Sequence, residues 1–116
     1  MAGRMTLAGR CNVLNGTGLP ATLWLQHHTA DPGEGATAPI GGRQAFTHAA
    51  STDGTASNVS TIDHTVPAAA TYSHWSVWDA VSGGNCWWVG QWNLARTYII
   101  GDTARVTSGS LTMAIV

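Results

Sequence analysis

Lysine is missing from this 116-residue chain, and charge of either sign is scarce. Five arginines, Arg4, Arg10, Arg43, Arg96 and Arg105, face six acids; charged residues reach only 9%, far below the usual quarter, and the net charge is −1. A nucleic-acid binder needs a basic stripe to neutralise phosphates, and five scattered arginines make none. Long apolar runs are missing too, so the sequence predicts no bilayer-spanning helix and no membrane partner. No apolar stretch follows the arginine-bearing segment Met1–Arg10, which predicts that it is not a secretory signal. There is a single glutamate, Glu34, so the residues that usually fill helix surfaces are nearly absent. The only cysteines, Cys11 and Cys86, lie far apart and match no metal spacing. Two reduced, buried thiols are the expected state. A disulfide pinning the N-terminal segment to the sheet is the alternative.

What remains is a β composition. Ala, Gly, Ser and Thr supply 54 of the 116 residues, and six tryptophans provide apolar area to bury. Threonine favours strands and glycine punctuates turns. The low surface charge leaves little to keep molecules apart, which predicts self-association or burial against a partner.

The apolar spacing Leu7, Cys11, Leu14, followed by Asn15-Gly16, predicts a short helix or an ordered arm within residues 4–14, with Gly9 interrupting it. Residues 21–27 alternate as a strand, with Leu23, Leu25 and His27 on one face and Trp24 and Gln26 on the other. Asp31-Pro32-Gly33 is a turn that opens a long loop reaching Gly42. Strands are predicted over 43–48, 58–64 and 72–80, with a polar turn at 51–57. Gly83-Gly84-Asn85 then turns the chain into a partner strand over 86–92. Residues 96–100 form a short apolar segment, and 104–107 with 111–116 a last hairpin across Ser108-Gly109. Tryptophan falls on both sides of both strands of the central hairpin, so both faces should be covered. The expected fold is all-β: one antiparallel β-sandwich, jelly-roll-like, over residues 20–116, with an N-terminal arm or helix over 1–19.

Four phrases in order resemble a known family. Residues 22–33, Thr-Leu-Trp-Leu-Gln-His-His-Thr-Ala-Asp-Pro-Gly, are similar to "LYLALHTADPG", and Gly41-Gly42-Arg43-Gln44-Ala45 to a glycine-rich loop followed by "Y-A-R-Q". Residues 75–85 are similar to the hairpin "hxGhxDAxxGGN", where h is apolar, and residues 101–111 to a closing "GDTFRFxAGxL". These phrases belong to small structural proteins of tailed bacteriophages, described as tail fibre-like or minor virion proteins. The resemblance spans residues 20–116. The N-terminal segment is shorter than the usual family helix, Trp87-Trp88 replaces smaller apolar residues, and Ser76 stands where glycine is common. The resemblance implies a virion component without catalysis or cofactor, assembled in the host cytoplasm.

Candidate chemistry is thin. His27, His28, Asp31 and Glu34 form the one cluster with ligand chemistry, but neighbours on a strand point to opposite faces, and Asp31 most simply caps its turn. Asp63-His64 with Ser60 or Ser73 lacks a glycine-framed nucleophile elbow and an oxyanion-hole motif. No metal, cofactor or catalytic residue is therefore expected. Tryptophan and arginine anchor interfaces out of proportion to their numbers, which makes Trp24, Trp88, Trp92 and Arg43 the candidate interface residues, ahead of a glycan-stacking site. The expectation formed here is a non-enzymatic capsid decoration protein, one small domain with no coiled-coil or collagen-like shaft pattern, bound to the major capsid protein as a homotrimer. The alternative is a minor tail or tail-fibre protein that takes part in host attachment.

Overall fold

The two segments that alternate most clearly in the sequence lie side by side at the centre of the larger sheet. A computed structural model describes residues 3–14, 19–48 and 55–114. The elements are β1 (Arg4–Met5), α1 (Leu7–Leu14), β2 (Thr22–His28), β3 (Pro39–Thr47), β4 (Thr55–Ser57), β5 (Ile62–Thr65), β6 (Ala70–Trp78), β7 (Cys86–Tyr98), β8 (Thr103–Val106) and β9 (Thr112–Ala114). One five-stranded antiparallel sheet runs β1-β7-β6-β2-β3. Two short antiparallel ladders, β4-β9 and β5-β8, complete an all-β sandwich.

Leu23 and Leu25 on β2, Trp75 and Val77 on β6, and Trp88 on β7 turn into one core with Phe46, Ile62, Val106, Leu111 and Met113. Trp75 is 1% exposed and lies across two glycines. A Cβ at Gly3 or at Gly90, its cross-strand partner, would collide with the indole ring. Trp87 and Trp88 are consecutive, yet both are buried and stacked with centroids 6.0 Å apart. Strict alternation would send one of them outward. The register explains the exception: Val77 pairs with Trp88 and Trp78 with Cys86, so Trp87 is the extra residue of a β-bulge.

Several expected elements shift. The long loop ends early, because β3 begins at Pro39 and takes in Gly41-Gly42. Gly41 has φ 71°, and three residues of β3, Gly41 to Arg43, lie opposite Gln26 alone. Gln26 is buried and fills that bulge, donating from Nε2 to the carbonyls of Ile40 and Gly41 at 3.1 and 2.9 Å. The expected polar turn at 51–57 ends instead in β4; residues 49–54 lie outside the described residues. β7 runs for 13 residues and absorbs the segment at 96–98. The last two strands do not form a hairpin: β8 pairs with β5, and β9 with β4.

The helix begins later than the arm does. Residues 4–5 pair with β7, and α1 follows from Leu7. Thr6 caps it, accepting the Gly9 N–H on Oγ1 at 3.0 Å and donating to the Cys86 carbonyl. Gly9 is buried because the helix touches β7 there; a Cβ would meet the Trp87 carbonyl oxygen. Both cysteines are free thiols, but only Cys86 is buried, while Cys11 faces solvent.

Candidate functional site

The sequence-selected residues divide between the two faces of the large sheet. On the outer face, Trp24 is half-buried and sits in register with Trp78. The Arg43 guanidinium lies over the Trp78 ring, 3.8 Å from its centroid, and Arg43 Nη1 donates to the carbonyls of Ala80 and Gly83, each at 2.8 Å. Trp24 and Arg43 thus flank one indole. Trp88 is 4% exposed inside the core, so its ring is used within the chain. Trp92 is half-buried on the inner face and packs against Trp75, 5.9 Å between centroids.

The loop after β2 covers part of the outer face. Glu34 reaches back to the N-terminal segment: Oε1 accepts the Leu7 N–H at 2.7 Å, and Oε2 pairs with Arg4 at 2.8 Å. The Leu7 N–H and then Arg4 hold its carboxyl below the usual range. Asp31 Oδ1 accepts the Gly33 N–H at 2.9 Å, closing its own turn. His28 lies beneath this loop. Its Nδ1 bonds the Thr37 carbonyl at 2.7 Å and must carry the proton there, so Nε2 accepts from Ser76 Oγ at 2.7 Å. Ser76 in turn accepts the Trp78 indole N–H at 2.7 Å. Ser76 therefore has a use that glycine could not supply. Burial foremost keeps His28 neutral.

His27 points the other way, as the alternation requires. Its ring stacks loosely on Tyr72, His64 and Trp92, at 4.9, 5.1 and 5.9 Å. His64 Nε2 meets Tyr72 Oη at 3.1 Å, and His64 Nδ1 meets Gln44 Nε2 at 3.4 Å. Neither nitrogen of His27 has a hydrogen-bond partner, although the residue is 3% exposed. Burial first, then the neighbouring imidazoles of His64 and His28, push its pKa down to about 3. A neutral, desolvated imidazole without partners costs on the order of 1–3 kcal/mol. No sequence signal marked it: alternation placed His27 on the core face but could not show that its neighbours would all be rings.

This aromatic floor opens into a cleft of about 530 Å³ between the far half of β7 and β8. Trp92, Arg96 and Tyr98 line one wall and Thr103 to Thr107 the other. Trp92 is the only one of the four candidate interface residues that lines it. The remaining candidates for chemistry do not converge. His27 and His28 face opposite sides, Asp31 and Glu34 are engaged in the loop, and among the described residues no group of three potential ligands is placed to hold a metal ion. Asp63 and His64 alternate on β5, the first exposed and paired with Arg105, the second buried. Ser73 bonds His74, not His64.

Compared with known families, residues 12–114 match the family model of podophage GP4 fiber I protein gp80. No curated protein matches the chain.

Proposed function

The chain belongs to the family of podophage GP4 fiber I protein gp80, and from that premise we propose that it is a non-enzymatic component of the tail fibre apparatus. The observation that carries this reading is the family match, which runs through nearly the whole sandwich. It reverses the order of the two expectations drawn from sequence: the fibre alternative takes precedence over capsid decoration. The geometry is compatible with a binding role. Asp63, His64 and Ser73 are each engaged elsewhere, and the aromatic and arginine side chains that could anchor a partner are carried on strands of the large sheet. Self-association as a homotrimer is part of the proposal, since low surface charge permits close packing of copies.

Copy number in purified particles tests the assignment. A fibre component is present in the small number set by tail symmetry, and its loss impairs adsorption while heads stay sound. Hundreds of copies per particle, with heads that leak DNA once the protein is removed, would restore the capsid reading and remove this one. Sedimentation mass of the isolated protein decides the trimer.

A further inference from the structure

Cations are scarce in this chain, and nearly all of them are committed. Arg4 pairs with Glu34 and Arg105 with Asp63. Arg10 donates to the Met5 carbonyl, and Arg43 to the carbonyls of Ala80 and Gly83. Among the described residues, the Arg96 guanidinium is the one that meets no acceptor. It stands in the cleft of about 530 Å³, on the wall that also carries Trp92 and Tyr98. Both rings are half-buried, so each keeps part of its surface open beside an unpaired cation. The opposite wall is polar: Thr103 and Thr107 bring hydroxyls, while Arg105 is held by Asp63 at 2.9 Å. In the floor, both nitrogens of His27 are buried without a partner.

Small-molecule sites span roughly 300–1,000 Å³ and combine apolar walls with a few placed polar groups, and this cleft has that size and that lining. We propose that it binds a carboxylate-bearing saccharide. The negative face of an aromatic ring attracts the polarised C–H groups on the apolar side of a pyranose, so Trp92 and Tyr98 supply the platforms. Arg96 takes the carboxylate through two parallel N–H donors, and sugar hydroxyls meet Thr103 and Thr107. An apolar guest would cover Arg96 and leave it unpaired, together with His27. A phosphate monoester would bring a charge of about −1.5 to −2 to a single uncommitted cation. For Trp92 this reverses the order expected from sequence, which put a protein partner ahead of a glycan. That the saccharide belongs to a host surface rests on the fibre reading.

The test titrates the isolated protein with oligosaccharides of galacturonate, glucuronate and mannuronate, followed by tryptophan fluorescence and calorimetry. Their carboxyl-reduced counterparts and inorganic phosphate are titrated in parallel. The expected result is saturable binding of at least one acidic oligosaccharide, weakened about tenfold or more by carboxyl reduction and by Arg96→Gln. Tyr98→Ala weakens it as well, while Arg10→Gln on α1 leaves it unchanged. Arg96 is exposed on its strand, and an unaltered urea midpoint shows that Arg96→Gln acts on binding and not on folding. Equal binding of the reduced sugars, no response to Arg96→Gln, tighter binding of phosphate, or no binding of any acidic oligosaccharide at millimolar concentration overturns the cleft assignment and leaves the fibre reading intact. Saccharide binding by a chain that is absent from purified particles keeps the cleft and removes the fibre reading.

Discussion

The long hairpin β6–β7 contains two regions built from the same two strands. In the near half, Trp75, Val77 and Trp88 are at most 4% exposed, with the core on one side and the N-terminal segment along the edge. In the far half, Leu94 is 68% exposed within the bulge opposite Ser73, β6 is the one strand paired with Arg96–Tyr98 among the described residues, and a cleft stands beside them. Composition separates them: the near half carries the tryptophans Trp75, Trp78, Trp87 and Trp88, and residues 93–98 of the far half carry none. Strand formation is thus cheap throughout, and stability concentrates where indole rings meet.

The largest expected effect tests that contrast directly. Trp75→Ala should destabilise the fold by about 3–5 kcal/mol, because it leaves a cavity in the core beside Gly3, Gly90 and Trp92. Leu94→Ala should change stability by less than about 0.5 kcal/mol. Urea midpoints of the two variants read the difference. Comparable losses would mean that the far half carries as much of the fold as the near half.

Acid sharpens the comparison from the boundary between the halves. His27 binds a proton readily when unfolded but holds a folded pKa near 3, so the unfolded chain takes up more protons between those values. Stability is therefore fully present above about pH 6.5 and falls as pH drops toward 3, at about 1.4 kcal/mol per unit for this one group. Burial lowers His28 and His64 in the same direction. His27→Phe should flatten the slope between pH 6.5 and 4.5 by about that much. An unchanged slope would show that His27 is solvated in solution.

The sequence carried the near half well and the far half poorly, for reasons visible at single residues. Alternation located β2, β6 and the start of β7, and the turn chemistry of Gly83-Gly84 joined them; both glycines have positive φ, 63° and 70°. The bulge at Trp87 was illegible, because one inserted residue reads as a break in the pattern and not as a second buried indole. The same holds where Trp92 to Ala95 lie opposite Ser73 alone, and where β8 turns to β5 instead of to its neighbour in sequence. Pairing between distant segments is set by layer packing, and no local signal encodes it. Of the four candidate interface residues, period-2 reading gave Trp24 a face and put tryptophan on both sides of the central hairpin, but burial of both Trp87 and Trp88 depended on that bulge.

A smaller effect is expected at the N-terminus, where the near half gains its edge cover. Thr6→Ala removes the helix cap and the bond to the Cys86 carbonyl, at a cost of about 1–2 kcal/mol. Exchange of the Gly9 amide should quicken more than that of Leu25. Uniform quickening would indicate that the arm and sheet open as one unit.

The smallest expected effect lies on the outer face. Arg43 does two jobs with one planar group: it lies flat over Trp78, and its Nη1 joins the Ala80 and Gly83 carbonyls that bound the hairpin turn. Arg43→Lys keeps the charge and can keep a cation over the ring. It loses the fork geometry that allows stacking and turn contact at once. Cation–π contacts at partly exposed sites contribute about 0.5–1 kcal/mol, so the stability loss should stay in that range. The local signature should be clearer than the global one, with faster exchange at Gly83 and Gly84 and an altered Trp78 environment in fluorescence. If binding to particles fell sharply while stability moved this little, the pair would be an interface anchor of the outer face. If stability fell by several kcal/mol, Arg43 would be a structural clamp on the turn, and the outer face would join the core as the region that holds the near half together.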